Sequence, residues 1–200
     1  MHFRPSCRRL QHTLPASTRV RRAASGWVAG LLLGLGLCSA PAGAQDAETA
    51  QQLISAGKAN EALPRIEQAL SRRPDDVQLR FLKGVALSDQ QRKADAIAQF
   101  EALIRDHPLL PEPYNNLGVL YAEEGNYDKA RTALEMAVRV RPGYARAHEN
   151  LGDVFVKLAS QAYSRSLELD SDSRSTPPKL ALVRRLLSSA PSAPPARSGR

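Results

Sequence analysis

With 200 residues, 42% of them hydrophobic and 24% charged, the chain suits one globular domain or one short repeat array, and it is too apolar to remain a disordered polymer. The formal charge of +8 suggests a polyanion as partner until its distribution is read. Six arginines lie in the first 44 residues; without them 22 basic residues stand against 20 acidic ones, which argues against nucleic-acid binding and the basic stripe it usually needs.

Residues 1–44 read as a secretory leader. Arg4, Arg8, Arg9, Arg19, Arg21 and Arg22 precede an apolar stretch, GWVAGLLLGLGLCSA, and Ala42-Gly43-Ala44 supplies small residues for cleavage. The stretch is shorter than the about 20 apolar residues of a permanent span. Arg21-Arg22 is followed by Ala23 and Ala24 rather than bulky apolar residues, which argues against a twin-arginine signal. Cys38 follows Leu37 instead of a small residue, which argues against a lipid anchor. The expected location is the periplasm. Cys7, Cys38 and Trp27 all fall within this leader.

Three units of thirty-four residues follow without a gap, at 43–76, 77–110 and 111–144. Gly84, Leu87, Ala96, Phe100, Leu103 and Pro108 recur as Gly118, Tyr121, Ala130, Leu134, Ala137 and Pro142. Small residues at a fixed spacing, an apolar face on each side of a turn, and Pro after the second helix predict a helix–turn–helix in each unit. The first helix of the first unit, about 45–56, is polar on its outer side, as the end of a stacked array must be.

A fourth unit, 145–170, begins in register at Leu151-Gly152 but lacks five residues and the glycine-containing turn. One long helix over 145–169 is expected in its place, with Leu151, Val154, Phe155, Leu158, Ala162 and Leu169 facing inward as a cap. Ser residues and Pro177-Pro178 then break the chain, and KLALVRRLL predicts a short amphipathic helix at 179–188 docking on the long one. The rest of 171–200 is Pro/Ser/Ala-rich. This tail carries six basic residues and one acidic, whereas 45–170 carry 16 and 19.

The chemical inventory after the leader is small. His107 and His148 are the two histidines, no cysteine remains, and neither zinc spacing nor a nucleophile, metalloprotease or phosphate-loop pattern occurs. His148 and Glu149 are adjacent on a helix and point about 100° apart, so His148 is expected to pack rather than to share a site. No catalytic residue, metal or cofactor is expected.

The repeated residues resemble the tetratricopeptide repeat family. That resemblance implies an all-α, right-handed superhelical solenoid of three repeats plus a long C-terminal capping helix. It makes Gly84, Ala96, Gly118, Tyr121, Ala130, Pro142 and Gly152 structural. It also implies a concave groove lined by the first helix of each unit, with Phe81, Leu82, Val85 and Val119 as an apolar half. Asn115, Asn116 and Asn150 form an amide ladder there, and Glu149 and Asp153 contribute to an acidic rim. Phe81 and Val85 stand where the chaperone-binding members carry polar groups, so an acidic chaperone tail is not the expected ligand. The expected role is a non-catalytic scaffold of the bacterial cell envelope holding a peptide or protein segment. The alternative is a self-associating or membrane-surface subunit acting through its basic tail.

Overall fold

The computed structural model describes residues 42–189, all of which belong to one compact unit that begins at Ser39. The expected leader, apart from its last three residues, and the end of the tail lie outside the described residues. Eight helices account for the described fold: α1 (Ala42–Ser55), α2 (Ala59–Arg72), α3 (Val77–Asp89), α4 (Lys93–Asp106), α5 (Pro111–Glu123), α6 (Tyr127–Val140), α7 (Ala145–Leu169) and α8 (Thr176–Ser189). Residues 42–44 therefore lie inside α1, three residues ahead of the helix start read from the sequence.

Local chemistry sets the helix ends. The Asp76 carboxylate caps α3 by accepting from the Leu79 backbone N–H at 3.0 Å, and Pro111 begins α5, where its missing N–H costs nothing. Between the paired helices, Gly57 (φ 74°), Gln91 (φ 61°) and Gly125 (φ 76°) hold the left-handed conformation. The next residue in each case reaches back five positions: Lys58 N–H to Leu53 O, Arg92 N–H to Leu87 O and Asn126 N–H to Tyr121 O. This is the Schellman closure of a helix. The same register next falls on Ala159, which lies within α7. There the chain does not turn, and α7 runs for 25 residues.

Packing follows the repeat. Gly84 meets the Phe100 ring sixteen residues on, a Cβ there lying 2.6 Å from Cε1, and Gly118 meets Leu134 in the same way. These close crossings bury Ala96, Phe100, Ala130 and Leu134 completely. The first helices α1, α3, α5 and α7 touch one another in succession, while α2, α4 and α6 do not touch each other. The array therefore curves with its first helices on the inside.

Three expectations at the C-terminal end are corrected. Gly152 is exposed and a Cβ on it would meet nothing, because α7 continues straight and no second helix of its own unit crosses it. The stripe on α7 is only half inward: Val154 is buried and Leu151 and Leu158 pack against α6, but Phe155 is 47% and Leu169 72% exposed. About 25 residues of helix span some 37 Å against about 21 Å for α6, so Leu169 lies past the helix that α7 packs on. Phe155, which precedes the packed Leu158, is instead about 100° round the helix from the buried Val154. Finally, Pro177 and Pro178 do not precede the last helix; they sit in its first turn, so α8 begins three residues before the expected start. Leu180 and Thr176 of α8 are buried against α7, the one described helix it touches.

Candidate binding surface

The inner row of helices carries two concavities. One, about 590 Å³, opens where α1, α3 and α5 end, and is lined by Ile54, Asn60, Val85, Ser88, Asp89 and Gln90 among others, with Glu123 at its edge. The second, about 320 Å³, lies between α5 and α7 and is lined by Val119, Ala122, Tyr127, Asn150, Asp153 and Lys157, again with Glu123. Glu123 is thus common to both. Its carboxylate pairs with Lys93 Nζ at 2.8 Å and stays 44% exposed.

The residues that open onto this surface share a register. Val85 and Val119 are the ninth residues of their units, Ser88 and Ala122 the twelfth, and Asp89 and Glu123 the thirteenth. Asp153 and Lys157 continue the ninth and thirteenth positions on α7. On α3 and α5 the earlier turns carry Leu79, Leu82, Asn115 and Asn116 buried in the array, whereas on α7 His148 and Glu149 are exposed and Asn150 lines the second concavity.

This sorting revises the predicted groove. Val85, Val119, Asn150 and Asp153 line the concavities. Phe81, Leu82, Asn115, Asn116 and Glu149 line neither. Phe81 is half-buried, its ring tilted 49° against Phe100 at 5.8 Å, and Leu82 is 1% exposed within the core. Asn116 is buried and donates to the Glu112 carbonyl at 2.8 Å, a bond within its own helix. Asn115 is fully buried and accepts from Asn150 Nδ2 at 2.9 Å. Three of the five are therefore packing or hydrogen-bonding elements of the array, Phe81 largely so, and Glu149 is exposed outside both concavities. Ile54, Asn60, Gln90 and Gln91 were not among the predicted groove residues; Ile54 comes from the end of α1, Asn60 from the start of α2, and Gln90 and Gln91 from the turn after α3.

Of the structural set, Gly84, Ala96, Gly118 and Ala130 are buried at crossings, Tyr121 is half-buried, and Pro142 is exposed after α6. His148 does not pack as expected: it is exposed, with Nε2 2.8 Å from the Pro142 carbonyl. Among the described residues, no three His, Cys, Asp or Glu side chains are grouped to hold a metal ion.

The outer side holds a different cleft, about 510 Å³, between α4 and α6 over α5, lined by Ile104, Leu117, Tyr121, Ala133 and Met136 among others. Tyr121 donates its hydroxyl to Glu101 at 2.8 Å, and Lys129 Nζ lies 5.3 Å from its ring centre. Burial, together with that carboxylate, pushes the Tyr121 phenol up to about 12.

Comparison with known proteins agrees with this architecture. A tetratricopeptide repeat family model matches residues 47–111 and a TPR repeat model residues 120–158, together just over half of the chain. A tetratricopeptide repeat domain-containing protein of Arabidopsis thaliana, chloroplastic PYG7, is 39% identical over 75 residues, which is 35% of this chain and 25% of that protein. Among solved structures, YrrB, described as a TPR protein with an unusual peptide-binding site, superposes with a TM-score of 0.50 at 26% identity over 54% of this chain and 55% of its own. A thermophilic TPR protein of Thermus thermophilus, TTC0263, superposes with a TM-score of 0.55 at 21% identity over 72% of this chain and 82% of its own. The recurring glycine crossings, the turn closures and these matches converge, and the chain belongs to the tetratricopeptide repeat family.

Proposed function

We propose that this protein is a non-catalytic scaffold that holds a peptide or protein segment in its concave groove. The observation that carries this reading is the pairing of Val85 and Val119 in two adjoining concavities with Asp89, Glu123 and Asp153 beside them. A mostly polar, acid-bearing concavity beside Val85 adjoins an apolar one beside Val119, and together they suit a segment with an apolar anchor and a basic flank. Asn150 and Gln90 already donate their side-chain amides to Asn115 and to the Ala59 carbonyl, so what they add at the edges is mainly acceptor oxygen for a backbone N–H. YrrB, with its peptide-binding site, supports the ligand class.

The setting we propose is the bacterial cell envelope, with export to the periplasm. It rests on the arginine-rich, apolar leader with its small-residue cleavage site. Selection from a random displayed-peptide library on residues 39–200 tests the ligand class. Enrichment of Leu, Ile or Phe next to Lys or Arg, lost in Glu123→Lys/Asp153→Lys, supports it; enrichment of acidic peptides contradicts it. Fractionation of the producing bacterium tests the compartment, and recovery from the cytoplasm with the leader intact contradicts export.

A further inference from the structure

The chain carries a segment of the chemistry that its own groove suits. On α8, Thr176, Leu180, Val183 and Leu187 recur at spacings of four, three and four and turn toward α7, Thr176 and Leu180 being buried there. On the opposite side Leu182 is 59% and Leu186 51% exposed, flanked by the exposed Lys179 and Arg185. With Arg184, the helix holds three cations and no acid. A short helix that is apolar on two sides and basic throughout is more than docking on α7 requires.

Among the described helices α8 touches α7 alone, so it stands clear of α1, α3 and α5, whose ends form the main concavity. It cannot fill its own groove without leaving α7. We propose that α8 of one molecule seats in the concave groove of a second copy, Leu182 entering beside Val85 or Val119 and Lys179 and Arg185 meeting Asp89, Glu123 and Asp153. This identifies one partner of the groove and rests on the groove reading given above. Charge favours it from both sides: residues 171–200 carry six basic groups and one acidic, against 16 basic and 19 acidic in 45–170. The two surfaces are different, so the contact is head-to-tail, and any assembly that does not close into a ring keeps a free groove at one end and a free α8 at the other.

That asymmetry supplies the test. Residues 39–200 are prepared as wild type, as an α8 variant (Lys179→Glu, Leu182→Asp, Arg185→Glu) and as a groove variant (Glu123→Lys, Asp153→Lys), and each is followed by sedimentation velocity over a dilution series. Wild type is expected to form concentration-dependent oligomers. Each variant alone is expected to stay monomeric, its association weakened at least about tenfold, since a single lost contact of this kind is worth about a decade in affinity. A mixture of the two variants is expected to give a one-to-one heterodimer, because one keeps its groove and the other its α8. That heterodimer also shows that both variants are folded.

A wild type that stays monomeric overturns the proposal while leaving the groove reading to the peptide selection. Oligomers that survive the α8 changes, or that are lost with the α8 variant and kept with the groove variant, overturn it by placing the contact elsewhere. Flotation of a monomeric wild type, but not of the α8 variant, on phosphatidylglycerol vesicles would assign α8 to an anionic bilayer instead and also overturn it.

Discussion

Asn150 donates its side-chain amide to Oδ1 of Asn115 across 2.9 Å, joining α7 to α5 through two amides that are both buried. Asn115 Nδ2 has no hydrogen-bond partner. The bond is thus the one side-chain tie of a buried amide, and it adds to the packing of Leu151, Val154 and Leu158 that seats α7 on the array. Asn150→Ala leaves both polar atoms of Asn115 unpaired and is expected to destabilise the fold by about 1–3 kcal/mol in urea unfolding. Replacing both residues by Leu removes the buried polar groups together, so the double variant should lose less than the sum of the two single changes.

The glycine crossings make a sharper comparison. Gly84→Ala and Gly118→Ala force a methyl against Phe100 and Leu134, and each is expected to cost about 1–3 kcal/mol. Gly152→Ala meets open space in a helix interior and should stabilise by up to about 1 kcal/mol. Thermal melts of the three variants check this; a loss at Gly152 equal to the other two would mean that a second helix does cross α7.

Gln91 holds φ 61° at the position where the neighbouring units have Gly57 and Gly125. A side chain there strains the turn by about 1 kcal/mol or more, so Gln91→Gly is expected to stabilise by roughly that amount in equilibrium unfolding. Gly125→Ala, the reverse change one unit on, should destabilise by a similar amount.

Tyr121 gives a pH signature. Its phenol is raised from 10.0 to about 12, first by burial and then by Glu101. The folded value lies above the unfolded one, so the stabilisation is complete below pH 10 and is lost as the pH rises through about 12. Tyr121→Phe abolishes the ionisation. The expected result is that wild type loses about 1 kcal/mol relative to Tyr121→Phe across that interval, after allowing for the partial exposure of the ring. Urea unfolding at the two ends of the interval measures it, and a parallel fall in both proteins contradicts it.

The fold was largely legible because its determinants are local and repeated. Gly84 and Phe100, or Gly118 and Leu134, declare a helix crossing by their spacing alone. The end of the array was less so. Nothing in the sequence of α7 says how far the helix overhangs α6, so Leu169 reads as core, and Phe155, beside the buried Val154, marks a face wider than the one α6 covers. Pro177 and Pro178 fit either a break or a first helical turn. The groove was legible in part: Leu82, Asn115 and Asn116 are buried in the array, and Phe81 is half-buried against Phe100. Val85 borders a concavity while itself only 5% exposed, and Val119 and Asp153 lie on later turns that line the second concavity. Helical register places a residue on a face; the curvature of the stack decides which part of that face is reached.

Entry of partners along the ends of the first helices is tested most directly by site-specific photo-crosslinking in the producing cells. A photoreactive residue replaces Val119 in the groove or, in parallel, Leu109 in the loop ahead of α5, which is 81% exposed and outside both concavities. Discrete adducts are expected from Val119, absent from Leu109 and abolished by Glu123→Lys/Asp153→Lys. Equal adducts from both positions, or adducts from Val119 that survive the charge reversal, would contradict the groove as the route of entry.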